Sequence, residues 1–473
     1  MNTRIRQLFV LVVGLFALLV GFTSYWSVFD AEGLKANPDN RRILLEEQRI
    51  RRGLIFAADG TVLARNRVTG KGSQRFFERV YPLGDLFAHV VGYNFADHGR
   101  SGLERSHNGE LTGDTNEFET ILDELRGKDR EGDDIVTTLD PEAQRAALAA
   151  LAGRAGAVVA IEPQTGRVRA MASVPGYDPN RIPNEFAQLN RAPGSPLFDR
   201  ATQSGYPPGS AFKVVTAAAA LDSGRFTPQS VLDGSSPKKI GGVPLQNFGG
   251  ESFGQITLTT ALTHSVNTVW GQVGERLGKG TMFDYMRRFG FNRKPPIDLP
   301  RSELRSSGVF SGRKLLDDSD AIDIGRVAIG QERLLVTPLQ MAMVVSAIAN
   351  GGTLIRPHLV EQVRDRDGRI VSRAHPKEES KVISPESASA LAGMMSQVVR
   401  EGTGTAAALS GIDVAGKTGT AEVGGTNQAW FIAFAPVDQP RVAVAATVER
   451  TPGQGGTVAA PIAKRVMEAL IGG

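Results

Sequence analysis

The chain has 473 residues, of which 41% are apolar and 22% charged, with a net charge of +4 at pH 7 and no cysteine. This length and composition are typical of two or three folded domains. The absence of cysteine excludes disulfides, thiolate metal sites and a cysteine nucleophile. The small net charge, without a basic cluster, argues against a nucleic-acid-binding protein.

The N-terminus contains an apolar segment long enough to cross a membrane. Arg4 and Arg6 precede an uncharged run from Gln7 to Phe29, and a bilayer core needs about 20 such residues. Because basic residues lie on the cytoplasmic side, we expect a cytoplasmic tail (residues 1–7) and a single-pass anchor (residues 8–29). The alternative, a cleaved signal peptide, is less well supported because no A-x-A site follows the run.

Two regions follow the anchor. Residues 30–153 form a loop-rich, β-like region, with two strands predicted around Asp59-Gly60 and a helix predicted from Pro141 to Leu151, capped by Asp140. Residues 154–473 begin and end with predicted strands around a mostly helical middle. We therefore predict an α+β protein, whose second region holds one antiparallel sheet packed between helices.

Three short motifs in a fixed order carry the chemical information. An S-x-x-K motif holds Ser210 and Lys213, an S-x-N motif holds Ser265 and Asn267, and a K-T-G motif begins at Lys417. Each motif alone is common in proteins. Together, in this order, they are the set found in serine acyl-transferases that penicillin inhibits.

The first motif supplies a nucleophile and a base. Ser210 and Lys213 are three residues apart on a predicted helix, which places both on one face. A serine hydroxyl is a weak nucleophile unless a base in contact with it can take its proton. Burial and a second cation, for which Lys417 is the candidate, lower the pKa of a lysine, so Lys213 is predicted to act as a neutral amine. The dipole at the helix start favours developing negative charge near Ser210.

The other two motifs supply groups that hold substrate and move protons. We expect the Ser265 hydroxyl to relay a proton and the Asn267 amide to hold a substrate peptide group. Lys417 begins an alternating strand, where Gly419 leaves room for a substrate at the strand edge. We further expect Thr418 and Thr420 to hold a carboxylate beside Lys417, and the Thr420 and Ser210 N–H groups to form an oxyanion hole.

Two further patterns match other enzyme classes. The segment from Gly411 to Thr418 matches the phosphate-binding expression G-x-x-x-x-G-K-[ST], and the segment from Gly250 to Gly254 matches the esterase elbow G-x-S-x-G. Each requires an apolar strand before it and a helix after it. The flanking residues fit neither requirement, so we interpret both matches as coincidental.

The chain resembles the class B penicillin-binding proteins, which are monofunctional D,D-transpeptidases, and is most similar to the actinobacterial penicillin-binding protein A subgroup. Besides the three motifs, the resemblance includes Arg52-Gly53, Asp59-Gly60, Arg79-Val80-Tyr81-Pro82, Gly102-Leu103-Glu104, Gly330-Gln331, Thr337-Pro338 and Ala429-Trp430-Phe431. It implies that residues 30–153 form a non-catalytic pedestal or dimerisation-like domain and that residues 154–473 form the transpeptidase domain.

The resemblance also implies a reaction and its setting. Ser210 would attack the penultimate D-alanine of a peptidoglycan stem peptide, and an amine from a neighbouring strand would resolve the acyl-enzyme; β-lactams would acylate the same serine. No metal or cofactor is expected. The expected location is the bacterial inner membrane with the catalytic domain outside, and the expected partners are a polytopic glycan polymerase and divisome or elongation proteins. A β-lactam sensor and a scaffold with a vestigial site remain alternatives.

Overall fold

The computed structural model describes residues 2–26, 47–70, 75–113 and 131–472. Within these ranges, the helices of eight or more residues are Asn2–Ser24, Pro141–Leu151, Ile182–Arg191, Lys213–Asp222, Asn267–Arg288, Pro338–Ala349, Pro385–Arg400 and Ala460–Ile471. The helix predicted after Asp140 is confirmed, because the Asp140 carboxylate accepts hydrogen bonds from the N–H groups of Glu142 and Ala143.

The N-terminal helix fits the predicted anchor in length and composition. It runs from Asn2 to Ser24, and its apolar part, Thr3–Ser24, packs against nothing else in the described chain. The helix begins at Asn2, within the segment predicted as the tail. Residues 27–29, the end of the predicted anchor, lie outside the described residues.

The region after residue 153 is built on a five-stranded antiparallel sheet. Its strands, in spatial order, are Ala415–Val423, Thr426–Ala435, Val442–Thr451, Gly156–Ile161 and Val168–Val174. The strand from the start of the region pairs with the last strand of the chain, with Val158 opposite Ala446. This confirms the predicted sheet that joins the two ends of the region and leaves Ala415–Val423 as an edge strand.

Helices cover both faces of this sheet, as predicted. Successive strand residues belong to two separate apolar clusters, with Val159 in one and Val158 in the other, because side chains alternate across a strand. The helix Pro338–Ala349 packs on the first face. The helices Ala460–Ile471 and Pro141–Leu151 cover the second.

A second sheet connects the two regions. Its six strands, in spatial order, are Ile370–Arg373, Val360–Arg364, Asp134–Thr137, Ile55–Phe56, Val62–Thr69 and Phe76–Val80. The first two strands form a hairpin from the later part of the chain, and Val363 pairs with Ile135 of the earlier part. This hairpin and the helix Pro141–Leu151 therefore both pack across the boundary predicted at residues 153/154.

A buried ion-pair network in the smaller region joins three of the sequence segments that carry the family resemblance. These segments contain Arg52, Arg79 and Glu104. The Glu104 carboxylate is fully buried and accepts hydrogen bonds from Arg52 (2.9 Å, Nη2 to Oε2) and from Arg79. Burial alone would raise the pKa of Glu104, but the two guanidinium charges lower it below its ordinary value. Arg79 also donates to the Gly53 carbonyl (2.8 Å), which ties the network to the backbone.

Glu104→Gln is expected to destabilise the protein by about 3–5 kcal/mol, because it removes the counter-charge of the buried Arg79 and leaves Arg52 only the more distant Glu47 (3.7 Å). Because the pKa of Glu104 is lowered in the folded protein, the stabilisation should be present at neutral pH and lost as the pH falls through that pKa. Urea unfolding followed by circular dichroism measures this change.

The matched control is Glu78→Gln. Glu78 pairs with Arg67 on the surface, where the two side chains are 45% and 68% exposed, so little change in stability is expected. Equal effects of the two substitutions would contradict a stabilising role for the buried network.

Candidate active site

Ser210 lies in a tight turn just before a helix. The residues Gly209–Phe212 form a 3₁₀ turn, and the α-helix begins at Lys213 rather than at Ser210. In a 3₁₀ turn, side chains three residues apart eclipse one another, so Ser210 and Lys213 still share a face. Gly209 makes the turn possible because its φ is +52° and its N–H donates to the Gly330 carbonyl (3.0 Å).

A break between two helices presents Ser265 and Asn267. The first helix ends at Thr263, the second begins at Asn267, and Ser265 between them has a left-handed backbone with φ +60°. Such a conformation is unfavourable for serine and is frequent at functional sites. Neither side chain caps the second helix, which removes helix capping as the explanation for these polar residues.

Lys213 connects this break to the turn Gly209–Phe212, called the nucleophile turn below. Its ammonium nitrogen is fully buried and contacts the Ser265 carbonyl (2.7 Å), the Asn267 Oδ1 (2.7 Å) and the Ser265 Oγ (3.3 Å). A neutral amine has two N–H donors and one lone pair. The carbonyl and the amide oxygen can take both donors, so the lone pair remains available to accept a proton.

Lys417 completes the cluster from the edge strand. Its side chain is also fully buried, and its Nζ donates to the Ser265 Oγ (2.9 Å) and to the Thr418 carbonyl (3.1 Å). The Ser265 hydroxyl therefore lies between two lysine amines. Ser210 is partly exposed, and its hydroxyl has no hydrogen-bond partner in the described residues.

Both lysines have lowered pKa values. Burial is the main reason that the pKa of Lys213 lies well below 10.5, and the neighbouring Lys417 lowers it further. Burial also lowers the pKa of Lys417 to about 7. Two buried cations in contact with one hydroxyl would repel each other, so this arrangement disfavours a state in which both lysines are protonated.

The threonines of the K-T-G strand have different surroundings. The Thr418 hydroxyl is hydrogen-bonded to the Thr403 hydroxyl (2.6 Å), and the Thr420 hydroxyl accepts from the Gly455 N–H (3.1 Å). Thr403 was not predicted as a site residue. It lies in a loop without any of the three motifs, and only its contact with Thr418 in the folded chain reveals its position.

Gly419 allows the strand and the nucleophile turn to touch. A methyl group on Gly419 would lie 2.5 Å from the Pro208 carbonyl oxygen and 3.0 Å from the Ala211 Cβ. The position that a side chain at residue 419 would take is therefore filled by the Ser210 turn. A methyl group on Gly209 would likewise lie 2.6 Å from the Thr420 carbonyl oxygen. The Thr420 backbone thus faces the nucleophile turn.

Further contacts that the motifs do not reveal hold the site. The Asn267 amide donates to the Gln246 carbonyl (3.0 Å), and the Asn247 side chain accepts from the Thr268 N–H (2.9 Å). The Trp430 indole donates to the Pro207 carbonyl (3.0 Å). These contacts connect two loops of unremarkable composition to the catalytic motifs, so sequence reasoning had no signal for the first two.

The two coincidental motif matches do not have the required structures. Lys417 and Thr418 lie inside a β-strand, whereas a phosphate-binding loop requires a helix to begin there. Ser252 lies in a loop, and the next helix begins six residues later at Leu258. His264, near the second motif, is exposed and stacks on Phe253 (ring centroids 5.8 Å apart). It takes no part in the lysine cluster.

The pKa values of the two lysines can be measured by NMR titration of ε-¹³C-labelled lysine. Lys417 is expected to lose its proton with a midpoint of about 7. Lys213 is expected to remain neutral down to a pH well below 10.5. In Lys417→Met the midpoint of Lys213 should rise, because one cause of its shift is removed, but it should stay below 10.5 because burial persists.

The exposed Lys381 provides the reference signal in the same spectra. A Lys213 midpoint that is unchanged in Lys417→Met would show that the two amines do not interact. A midpoint of 10.5 for either lysine in the wild-type protein would contradict the effect of burial.

Two parts of the chain match known protein families. Residues 156–468 match the penicillin binding protein transpeptidase domain, and residues 52–135 match the penicillin binding protein A dimerisation domain. A similar curated protein is the peptidoglycan D,D-transpeptidase PbpA of Mycolicibacterium smegmatis, 36% identical over all of this chain and 99% of that protein. The PbpA of Mycobacterium tuberculosis is 35% identical over the full length of both chains.

Solved structures agree with these matches. A ceftriaxone acyl-enzyme complex of penicillin-binding protein A from M. tuberculosis has a TM-score of 0.81 and 34% identity, over 90% of this chain and 100% of that one. The D,D-transpeptidase domain from Eggerthella lenta has a TM-score of 0.79 and 35% identity, over 90% and 99%. The chain therefore belongs to the penicillin-binding protein transpeptidase family, in the group that carries a penicillin-binding protein A dimerisation domain.

Proposed function

We propose that this protein is a peptidoglycan D,D-transpeptidase that works through a Ser210 acyl-enzyme and is acylated by β-lactams. The observation that carries the proposal is the Ser265 hydroxyl held between two buried lysines, beside the turn that presents Ser210. The names of the relatives, D,D-transpeptidases and β-lactam acyl-enzymes, support the same reaction.

Lys213 is the proposed base for the first step. Ser210 attacks the penultimate D-alanine carbonyl, and its proton passes to the free lone pair of the neutral Lys213 amine. The new bond joins the Ser210 Oγ to the carbonyl carbon, and the bond to the terminal D-alanine nitrogen breaks. With a β-lactam, the ring amide bond breaks instead and the ring nitrogen takes the proton.

Ser265 is the proposed path for the proton to the leaving amine. Its hydroxyl is within reach of both Lys213 and Lys417, so a proton on either amine can pass through it. The same path runs in reverse when an acceptor amine from a neighbouring peptide attacks the acyl-enzyme. One N–H of the Asn267 amide is used by Gln246, and the second can hold a substrate carbonyl.

The oxyanion is proposed to bind the N–H groups of Ser210 and Thr420. In an extended strand the N–H and C=O of one residue point to the same side. Because the Thr420 carbonyl faces Gly209, the Thr420 N–H lies on the side of the nucleophile turn.

The terminal carboxylate of the substrate is proposed to bind Lys417 in its charged form and the Thr418 and Thr420 hydroxyls. The hydrogen bond from Thr403 orients Thr418 for this contact.

A membrane location and an interacting synthase are proposed with the reaction. The apolar helix Asn2–Ser24 supports a single-pass anchor with the catalytic region outside the cell membrane. Residues 30–153 are proposed as the pedestal and residues 154–473 as the transpeptidase domain. A polytopic glycan polymerase is the proposed partner. Protease protection of the region after residue 30 in intact spheroplasts would rule out this orientation.

Ser210→Ala is expected to abolish covalent labelling by a fluorescent penicillin, because no other hydroxyl occupies the nucleophile turn. Denaturing gels and intact-protein mass measure the adduct. The control is Ser252→Ala, which removes the serine of the coincidental elbow motif and should leave labelling unchanged. An adduct that persists in Ser210→Ala would contradict the proposed nucleophile.

Release of D-alanine from a stem-peptide substrate separates the enzyme from the scaffold alternative. The wild-type protein should release D-alanine and form the cross-linked product with an added acceptor amine. Labelling by penicillin without any release or transfer would favour a scaffold with a vestigial site.

Gly419→Ala is expected to slow penicillin acylation by about 10²-fold, because the added methyl group pushes the Ser210 turn away from the edge strand. Stopped-flow acylation kinetics measure the effect. The matched control is Gly393→Ala, within the helix Pro385–Arg400, where a methyl group meets nothing within 4 Å. Wild-type acylation by Gly419→Ala would contradict the packing role of this glycine.

A further inference from the structure

A cavity of about 690 Å³ on the transpeptidase region carries an unbalanced positive charge. Three basic side chains line it, those of Lys294, Arg305 and Arg313, and no carboxylate does. In the ranges that the structure covers, none of these three side chains forms an ion pair. Its size is within the range of small-molecule sites.

The neighbouring cavity shows that this charge pattern is not general. It measures about 750 Å³ and is lined by both arginines and carboxylates. There Arg293 and Arg356 both pair with Glu379, at 3.1 Å each. The first cavity lacks such internal counter-charges although it shares Lys294 with the second.

Arg305 is held in place at the wall of the first cavity. Its guanidinium lies against the Gly205 backbone, where an added methyl group would be 2.6 Å from the Arg305 Nε. It also lies over the Phe310 ring, with 5.2 Å between Cζ and the ring centroid. Its Nε is buried and lacks a hydrogen-bond partner in the described residues. The Arg305 residue is partly exposed, and its Nη groups also form no hydrogen bond with the described residues. Planar donors fixed in this way are suited to an oxyanion.

The rest of the lining fits a ligand that is more than a bare ion. Phe198, which is 37% exposed, adds an apolar ring to the wall, and Leu304 and Leu315 add aliphatic side chains. Ser302 and Ser306 add hydroxyl groups. The cavity thus combines an apolar surface with three cations that lack a carboxylate partner in the described residues, although the Lys294 amine also donates to the Arg301 carbonyl.

We propose that this cavity binds a phosphate-type oxyanion carried on a larger molecule, with Arg305, Arg313 and Lys294 as its ligands. The group can come from a membrane lipid head group or from a soluble or polymer-borne phosphate. The site is separate from the lysine cluster and is not needed for the acylation chemistry proposed above.

The test uses the full chain in phosphatidylcholine nanodiscs, with pyrophosphate as the probe. Isothermal titration calorimetry is run at constant ionic strength, so that general screening does not change. The wild-type protein is expected to bind pyrophosphate saturably. Lys294→Gln/Arg313→Gln, which leaves the packed Arg305 intact, is expected to bind at least about tenfold more weakly. Arg305→Lys keeps the charge but loses the planar fork, and should also bind more weakly.

The control is Arg145→Gln/Arg191→Gln, which removes the same net charge from two exposed positions elsewhere and should bind as the wild-type protein does. Circular dichroism melting checks that each variant is folded. Absence of saturable binding by the wild-type protein, or equal binding by the cavity and control variants, would overturn the proposal.

Phosphatidylglycerol in the nanodiscs distinguishes the two sources. If the site takes a lipid head group, this lipid should weaken pyrophosphate binding to the wild-type protein and leave the residual binding of Lys294→Gln/Arg313→Gln unchanged. Pyrophosphate binding that does not respond to phosphatidylglycerol supports a soluble or polymer-borne phosphate.

Discussion

The active site depends on keeping two lysine side chains out of water around one hydroxyl. Burying an amine is costly unless it is neutral or well hydrogen-bonded. Lys213 meets this requirement through the Ser265 carbonyl and the Asn267 amide, and Lys417 through the Ser265 hydroxyl and the Thr418 carbonyl. The same burial that is costly for the fold also lowers the pKa values of both lysines, that of Lys417 to about 7.

Backbone contact rather than side-chain contact sets the position of the nucleophile. The Ser210 turn lies between Gly330 and the K-T-G strand, and at both sides a glycine permits the close approach. A methyl group on Gly330 would lie 1.9 Å from the Gly209 carbonyl oxygen. Helices pack on both faces of the sheet that contains the strand Ala415–Val423. The contact with this strand therefore sets the position of the Ser210 turn relative to Lys417. Such preorganisation is what an oxyanion hole requires.

Sequence reasoning predicted the order of the motifs, the antiparallel sheet and the helix after Asp140, because these depend on local spacing, alternation and capping. It did not foresee that Gly419 also permits contact with Pro208, since the two residues are more than 200 positions apart. It also missed Thr403 and the Gln246 loop, whose roles arise only when distant segments meet. Ser265 has a positive φ at the break between two helices, and no sequence pattern predicts this backbone conformation.

The hairpin Val360–Arg364 and Ile370–Arg373 joins the two regions through one shared sheet. Removing the chain before residue 154 would strip Val360–Arg364 of its partner strand Asp134–Thr137 and leave its N–H and C=O groups as an open edge. It would also uncover the face of the catalytic sheet on which Pro141–Leu151 lies. A tilt of the smaller region must therefore either drag this hairpin with it or break its ladder. A displacement of the smaller region is thereby transmitted to the catalytic region through the paired strands Asp134–Thr137 and Val360–Arg364.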